Sequence, residues 1–380
     1  MRAAWLSAVV TSGSTTLINI ESNRDAHLDG LRGLAAVSVA VFHFFRSFDN
    51  DFLFLNAPLH KNLLSALWNG HFAVTVFFVL SGLIFMRKFY QGELLDCLRG
   101  GLKRYLRLVF PIFILSMATF GLHALGGFYN FEAASRSGSD WLIKWYRYEP
   151  DFWLAIKEPL WSAFFSFDAA HTYNANLWTI SYELLAVFSV IALGFLCRFI
   201  PKLWQFVLIA SFMAIGFQTR YFDFFVGAAL AFCLIHFRVS LPIWAGAILV
   251  AFSLLVVRFN QPSLTHIQII YLEYPLAAMT LIAAAETCRP LRVLLSQRVL
   301  AFFGRISFGI YLTHMLTLCS VASAVFLWTG SLWITFLAYA AVTIPLSVLF
   351  WRALDAPWMA FLNAVFRVKK VKPVASLQSA

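Results

Sequence analysis

The chain has 380 residues, of which 61% are hydrophobic, 17% aromatic and 12% charged. This charged fraction is about half that of a soluble domain, which excludes an ordinary soluble fold and indicates an integral membrane protein. The net charge of +11 is typical of cytoplasmic loops that face anionic lipid. Since the sequence contains no zinc-finger or RNA-binding motif, we expect no nucleic-acid partner.

The chain begins with residues 1–27, a short apolar run followed by polar residues. They lack the pattern of a signal peptide and are predicted to form a cytoplasmic tail. Apolar runs then predict ten membrane-spanning helices of about 20 residues each. They cover 30–47, 70–87, 107–126, 177–197, 203–219, 221–237, 241–258, 267–286, 306–327 and 331–352. The expected fold is an all-α integral membrane bundle over residues 28–357, followed by a basic cytoplasmic tail at 358–380.

The distribution of Lys and Arg predicts the orientation of this bundle. If the N-terminus is cytoplasmic and the helices alternate, most basic residues fall in inner segments, which places both termini in the cytoplasm. The longest outer segment, 127–176, is rich in Trp and Tyr with scattered Lys and Glu. This composition predicts amphipathic helices on the outer surface. The five cysteines form neither CxxC pairs nor clusters with histidine, so we expect neither a metal site nor a disulfide framework.

Two ionisable residues stand out in the first predicted span, where charges are costly. Arg32 lies at its inner end, and His43 follows 11 residues later, about 16 Å along a helix and therefore in the outer half. Eleven residues make about three turns, so both side chains point to the same side of the helix. This shared face favours a functional pair. The alternative is that Arg32 snorkels to the surface and His43 is a hydrogen-bonded core residue.

Later spans hold three further candidates. Arg104 and Arg107 are neighbours on one helical face and could grip phosphates bidentately, or they could serve topology alone. Glu183 lies about two turns into the fourth span, where a carboxylate is costly unless it is functional or paired with an Arg or Lys of a neighbouring helix. Tyr311 and His314 share a face of the ninth span, where they could contact substrate or hydrogen-bond between helices.

Five segments, in this order and spacing, resemble the acyltransferase 3 family of integral membrane acyltransferases, which modify bacterial surface glycans. The resemblance runs from about Leu28 to Pro357. Its segments are LDGLRGLAAVSVAVFH with Arg32 and His43, FFVLSGLIF with Ser81 and Gly82, RYLR with Arg104 and Arg107 followed by Pro111, LWTISYE with Trp178 and Glu183, and GRISFGIYLTH ending at His314.

The sequence departs from the family pattern at two places. Phe308 stands where relatives often have Tyr, and NANLW lacks the His that many relatives carry before the Trp motif. The second feature is more like stand-alone members that act on extracellular polysaccharide or lipid-linked sugars. The chain has neither a hydrolase-like domain nor a GxSxG motif, so it is expected to be such a member.

The resemblance implies a membrane acyltransferase in the bacterial inner membrane. The donor would be cytoplasmic acyl-CoA, with acetyl the commonest acyl group, and the acceptor a hydroxyl of a surface glycan or lipid-linked sugar. Succinyl transfer to a periplasmic glucan is an alternative, and so is a sugar or ion transporter without transferase chemistry. Besides these substrates, membrane lipid is the expected partner, and whether a second protein takes part stays open.

Under this resemblance, the candidate residues take specific roles. Arg32, Arg104 and Arg107 would bind the phosphates of CoA. His43 would act as general base or carry the acyl group itself, and Glu183 would orient its imidazole. The other candidate substrate-binding residues are Ser81, Trp178 and Tyr182, as possible oxyanion donors, together with Tyr311 and His314.

Overall fold

The computed structural model describes residues 25–49, 67–90, 94–237, 239–259 and 269–366. Within these ranges the chain is helical and has no strand, as predicted. The described α-helices of six residues or more are α1 (Ala26–Phe48), α2 (Gly70–Phe89), α3 (Leu94–Ala124), α4 (Asn130–Ser137), α5 (Phe152–Lys157), α6 (Trp178–Cys197), α7 (Lys202–Gly216), α8 (Tyr221–His236), α9 (Ile243–Phe259), α10 (Tyr274–Thr287), α11 (Arg289–Leu295), α12 (Arg298–Thr317), α13 (Ser323–Thr329), α14 (Leu332–Phe350) and α15 (Ala356–Val365).

Six helical stretches in the described ranges are long and apolar enough to cross a membrane. They are Ala26–Phe48, Gly70–Phe89, Leu94–Ala124, Ala175–Cys197, Arg298–Thr329 and Leu332–Val365. The other predicted spans also coincide with helices, but α7, α8 and α9 are shorter than the six. The protein is therefore a multi-pass α-helical membrane protein. The count of ten spans and the cytoplasmic position of both termini remain predictions.

Two helices extend beyond the predicted boundaries. α3 begins at Leu94 rather than at residue 107, because the basic residues before the apolar run are also good helix formers. After α14, a π-helical turn (Trp351–Asp355) leads directly into α15, which enters the predicted C-terminal tail. α15 packs on α3, where the Trp358 indole N–H donates to the Leu106 carbonyl at 2.8 Å. Residues 1–24 and 367–380 of the predicted tails lie outside the described ranges.

Glycines bring two pairs of parallel helices into close contact. α1 packs along α12, where a Cβ on Gly33 would lie 2.5 Å from the backbone nitrogen of Gly304. α2 packs along α8, where a Cβ on Gly82 would lie 1.9 Å from the carbonyl oxygen of Phe224. Small residues at such contacts let helices in a membrane approach each other through their backbones. The first contact fixes the register of α1 against α12, on which the candidate site depends.

The bundle has two distinct ends. We call the end that carries Arg32, Lys88 and Arg107 the basic end, and the end where residues 129–155 meet the last turns of α1 and α3 the aromatic end. Residues 158–165 instead pack along α3 as far as Tyr105, whose hydroxyl donates to the Leu160 carbonyl at 2.7 Å. Both α1 and α12 start at the basic end. Their arginines, Arg32 and Arg305, therefore lie at that end, and His43 and His314 lie further along toward the aromatic end.

Residues 129–177, which we call the aromatic segment, are tied to the end of α1 by two side chains. The Ser137 hydroxyl donates to the Ser47 carbonyl, and the Ser139 hydroxyl donates to the Arg46 carbonyl, both at 2.8 Å. These bonds occupy carbonyls at the last turn of α1, which have no partner within the helix. They place the next residues of the segment, including Trp141, beside His43.

Candidate active site

His43 and His314 form a hydrogen-bonded pair between α1 and α12. The Nδ1 atom of His43 lies 2.9 Å from the Nε2 atom of His314, and the two rings stack with centroids 5.2 Å apart. His314 is fully buried, whereas His43 is partly exposed. The two helices supply one imidazole each because both run in the same direction from the glycine contact at Gly33.

The hydrogen bonds of the pair define which ring nitrogens carry protons when both imidazoles are neutral. The Nδ1 atom of His314 lies 2.8 Å from the Ile310 carbonyl oxygen, which can only accept, so this nitrogen carries the proton. The Nε2 atom of His314 is then an acceptor, and the Nδ1 atom of His43 must donate to it. The Nε2 atom of His43 consequently keeps its lone pair, which makes it available as a base or nucleophile.

Two asparagines hold the start of α6 against α12 beside this pair. Asn174 donates to the Leu312 carbonyl at 2.7 Å, and Asn176 donates to the Tyr311 carbonyl at 3.0 Å. The amide nitrogen of Asn176 also lies 3.4 Å from the Nε2 atom of His314. Both asparagines are buried, so these bonds satisfy groups that would be costly to leave unpaired. They fix the position of His314 from the side of α6.

Trp141 covers His43 from the aromatic end. Its indole stacks on the imidazole with centroids 4.8 Å apart and planes inclined by 17°. Asn130 in α4 donates to the Leu142 and Trp145 carbonyls at 3.2 and 3.0 Å, which shapes the turn that carries Trp141. The His43 ring is thus held between an indole and a second imidazole.

A cavity of about 740 Å³ opens near the basic end and reaches into the bundle as far as Tyr311 and Thr179. Its volume lies in the usual range of small-molecule sites. The Tyr311 hydroxyl hydrogen-bonds to the Thr179 hydroxyl and to the Asn176 carbonyl. The side-chain amide of Asn176 lies 3.4 Å from the Nε2 atom of His314. Asn176 therefore contacts Tyr311 through its backbone and the histidine pair through its side chain, which links the inner end of the cavity to that pair.

The cavity brings together the predicted phosphate-binding residues. Its charged lining consists of Arg32, Lys88, Arg104, Arg107 and Arg305, and of Asp25, Asp29, Glu183 and Asp355. Arg32 donates to Asp29 at 3.1 Å, and the Arg104 guanidinium also lies over the Phe85 ring at 5.6 Å. Ser81 lines the same cavity. The three arginines, predicted from two separate motifs, therefore share one site with Ser81 and Tyr311.

The predicted contact between Glu183 and His43 is wrong. Glu183 forms an ion pair with Arg104 on the wall of the cavity, and each side chain is only 14% exposed. The reason is the direction of α6, which starts near the histidine pair, so that two turns carry Glu183 toward the basic end. The alternative of a structural pair with an arginine of a neighbouring helix matches the structure. His314 takes the place beside His43 that was expected for Glu183.

The structure also separates Trp178 and Tyr182 from the other predicted site residues. They line a second cavity of about 640 Å³, walled by aromatic residues that include Phe164 and Tyr221. The Trp178 ring contacts Phe78, which lines the first cavity, at a centroid distance of 6.4 Å. Trp178 therefore lies between the two cavities, whereas Tyr182 faces Tyr221 at 5.5 Å.

Sequence reasoning missed Asn176 and Trp141 as parts of the site. Asn176 stands in the NANLW segment, where two polar residues just before an apolar helix indicate an N-terminal turn. Polar side chains at such a turn often bond to a neighbouring helix, and this is the signal in the sequence for Asn176. Nothing in the sequence distinguishes Trp141 from the other Trp residues of its segment. Within the described ranges no group of three or more His, Cys, Asp or Glu side chains is placed to hold a metal ion.

Comparison with known proteins identifies the family of the chain. A family model described as an acyltransferase domain matches residues 25–352. The match includes both histidines and all the arginines of the first cavity. Searches of curated proteins and of solved structures returned no match. Since the family model covers most of the sequence, the chain belongs to the acyltransferase 3 family of membrane acyltransferases.

Proposed function

We propose that this acyltransferase moves an acyl group, most simply acetyl, from cytoplasmic acyl-CoA to a hydroxyl of an exported polysaccharide or lipid-linked sugar. The observation that carries the proposal is the connection between the two functional parts. The basic cavity ends at Tyr311, and the groups bonded to Tyr311 contact the His43–His314 pair. We place the enzyme in the bacterial inner membrane, with the basic end toward the cytoplasm.

The cavity supports acyl-CoA as the donor. Guanidinium groups bind phosphates through paired hydrogen bonds, and Arg32, Arg104 and Arg107 lie together in its lining. The ion pairs of Arg32 with Asp29 and of Arg104 with Glu183 hold these side chains in place before a ligand arrives. The uncharged inner part, toward Thr179 and Tyr311, suits the thioester end of the donor.

The histidine pair supports general-base catalysis at His43. The acceptor oxygen attacks the thioester carbonyl carbon while its proton moves to the Nε2 atom of His43. The C–S bond then breaks as the imidazolium returns this proton to the departing CoA thiolate, which leaves as the thiol. The Nδ1–H group of the resulting imidazolium keeps its bond to His314, which stabilises the charge.

An acyl-histidine intermediate uses the same atom. In that sequence the Nε2 lone pair of His43 attacks the thioester, and the C–S bond breaks to release CoA as the thiolate. The acceptor hydroxyl then attacks the acyl-imidazolium, the acyl–nitrogen bond breaks to free His43, and the hydroxyl proton passes to the thiolate. Of the predicted oxyanion donors, Ser81 lies in the donor cavity, whereas Trp178 and Tyr182 line the second one. We therefore assign Ser81 as the hydrogen-bond donor to the oxyanion in both reaction sequences.

The test is transfer of label from acetyl-CoA in membranes that contain the protein. We expect radiolabelled acetyl groups to appear on surface glycan or lipid-linked sugar, and His43→Ala membranes to show none. Parallel reactions with succinyl-CoA separate acetyl from succinyl transfer. Mass spectrometry of glycans from cells with and without the protein identifies the acceptor. Movement of sugar across the membrane without transfer of label would overturn the proposal in favour of a transporter.

A further inference from the structure

Arg46 lies one turn beyond His43 on the same face of α1. Its guanidinium is centred 5.3 Å from the Trp141 ring and 5.9 Å from the Phe42 ring. The imidazole of His43 stacks on the same indole. Arg46 is partly exposed, and its backbone carbonyl accepts the bond from Ser139 that anchors the aromatic segment. Trp141 therefore holds the base and the cation next to each other.

None of the carboxylates in the described part of the chain lies within ion-pair distance of Arg46. This distinguishes it from Arg32, Arg87, Arg104 and Arg220, each of which pairs with an acidic side chain. Contacts with aromatic faces use the flat surface of a guanidinium. They leave its in-plane N–H groups able to bind a carboxylate or phosphate through two parallel hydrogen bonds.

The surroundings of His43 on this side are cationic or neutral. His43 is close enough to Arg46 and His71 to interact with them electrostatically, and His71 also interacts with Arg220. His71 is partly exposed, as are His43 and Arg46. Arg220 is itself bound to Asp223 at 3.4 Å. Among the described residues, Arg46 is thus the cation beside His43 that has no acidic partner.

We propose that Arg46 binds a negatively charged group of the acyl acceptor, so that the substrate is an acidic glycan carrying a carboxylate or a phosphate. This inference rests on the proposed transfer to a glycan and specifies its acceptor. Held on Trp141 beside His43, the guanidinium binds the anion and thereby places a hydroxyl of the same or the adjoining sugar at the Nε2 atom of His43. A phosphate at this position could also belong to a lipid headgroup, and the test separates the two sources.

The experiment measures ligand preference directly, without requiring turnover. The full-length protein is placed in phosphatidylcholine nanodiscs, and binding is titrated by saturation-transfer NMR. Three soluble probes are compared: methyl glucoside, methyl glucuronide and methyl glucoside 6-phosphate. We expect at least one anionic probe to bind about 10- to 100-fold more tightly than the neutral one, the effect of a charge-assisted hydrogen-bonded pair.

Three variants test the assignment to Arg46. Arg46→Gln should remove the preference, and Arg46→Lys should keep part of it, since it retains the charge but not the paired donors. Arg147→Gln is the matched control. It removes an exposed arginine from the same aromatic segment and should leave the preference unchanged. A preference that survives in Arg46→Gln, or that is absent from the unmodified protein, would overturn the inference.

Repeating the titration in phosphatidylglycerol nanodiscs identifies the source of the anion. A preference that persists supports the acceptor, whereas its loss would show that lipid phosphate occupies Arg46. The radiolabel assay above reports separately on the proposed function. Anion preference at Arg46 without acyl transfer would refute the transferase proposal alone, and transfer without the preference would refute only the acidic acceptor.

Discussion

Replacing His314 by Ala tests the arrangement of protons in the histidine pair. The change removes the acceptor that lies 2.9 Å from the Nδ1 atom of His43. In the protonation state derived above, the Nδ1–H group of His43 would then lack its partner. An unsatisfied buried donor costs about 1–3 kcal/mol, which favours the other tautomer, in which the Nε2 atom carries the proton and cannot act as a base. The fraction of active tautomer, and with it kcat, should fall about 10- to 100-fold.

The assay is acetyl-CoA-dependent transfer by membranes, with kcat and KM measured separately. The KM for acetyl-CoA should stay near its original value, because His314 does not line the donor cavity. His314→Gln offers an amide oxygen as a replacement acceptor and should recover part of the rate. His171→Ala is the control, since this histidine is exposed and pairs with Asp168. An unchanged kcat in His314→Ala would refute the tautomer assignment.

Three further predictions address other parts of the structure. His43→Ala should abolish transfer while the protein remains in the membrane fraction, and transfer at the original rate would exclude His43 from the chemistry. Arg104→Lys keeps the charge opposite Glu183 but loses the paired N–H donors of the guanidinium. The KM for acetyl-CoA should therefore rise about 10-fold with little change in kcat. An unchanged affinity for CoA would contradict the assignment of Arg104 to the phosphate site. Burial raises the pKa of Glu158 from its ordinary value of 4.5 to about 7, although Thr172, Ser116 and Tyr173 donate to its carboxyl group. The folded protein therefore holds a proton that the unfolded chain loses, and stability should fall as the pH rises from about 4.5 through 7, by at most about 3 kcal/mol. Melting curves in detergent should show this fall in the unmodified protein and less of it in Glu158→Gln; equal slopes would contradict the assignment to Glu158.

The elements that the sequence predicted well are those that depend on local pattern. Apolar length alone located helices at every predicted span, since the bilayer requires about 20 apolar residues for each crossing. The spacing of Arg32 and His43 predicted different depths on one face of α1. In the structure Arg32 lines the first cavity, whereas His43 pairs with His314 and is not among the described residues of that lining. The predicted helix boundaries were less accurate, as α3 shows. Hydropathy detects only the apolar run, whereas Lys and Arg beside that run are good helix formers and extend the helix.

The partner of His43 depends on packing between helices, which local pattern does not contain. Glu183 was expected about two turns into the fourth span, and this position along its helix does not decide whether Glu183 or His314 meets His43. The glycine contact between α1 and α12 determines the partner. It brings the two parallel helices so close that His43, 11 residues after Arg32, meets His314, 9 residues after Arg305. The same parallel arrangement places both arginines at the mouth of one cavity. Two sequence segments with the same order, a basic residue followed by a histidine about 2.5 to 3 turns later, are therefore a signal of paired parallel helices. Such a signal could have predicted the histidine pair before any coordinates were known.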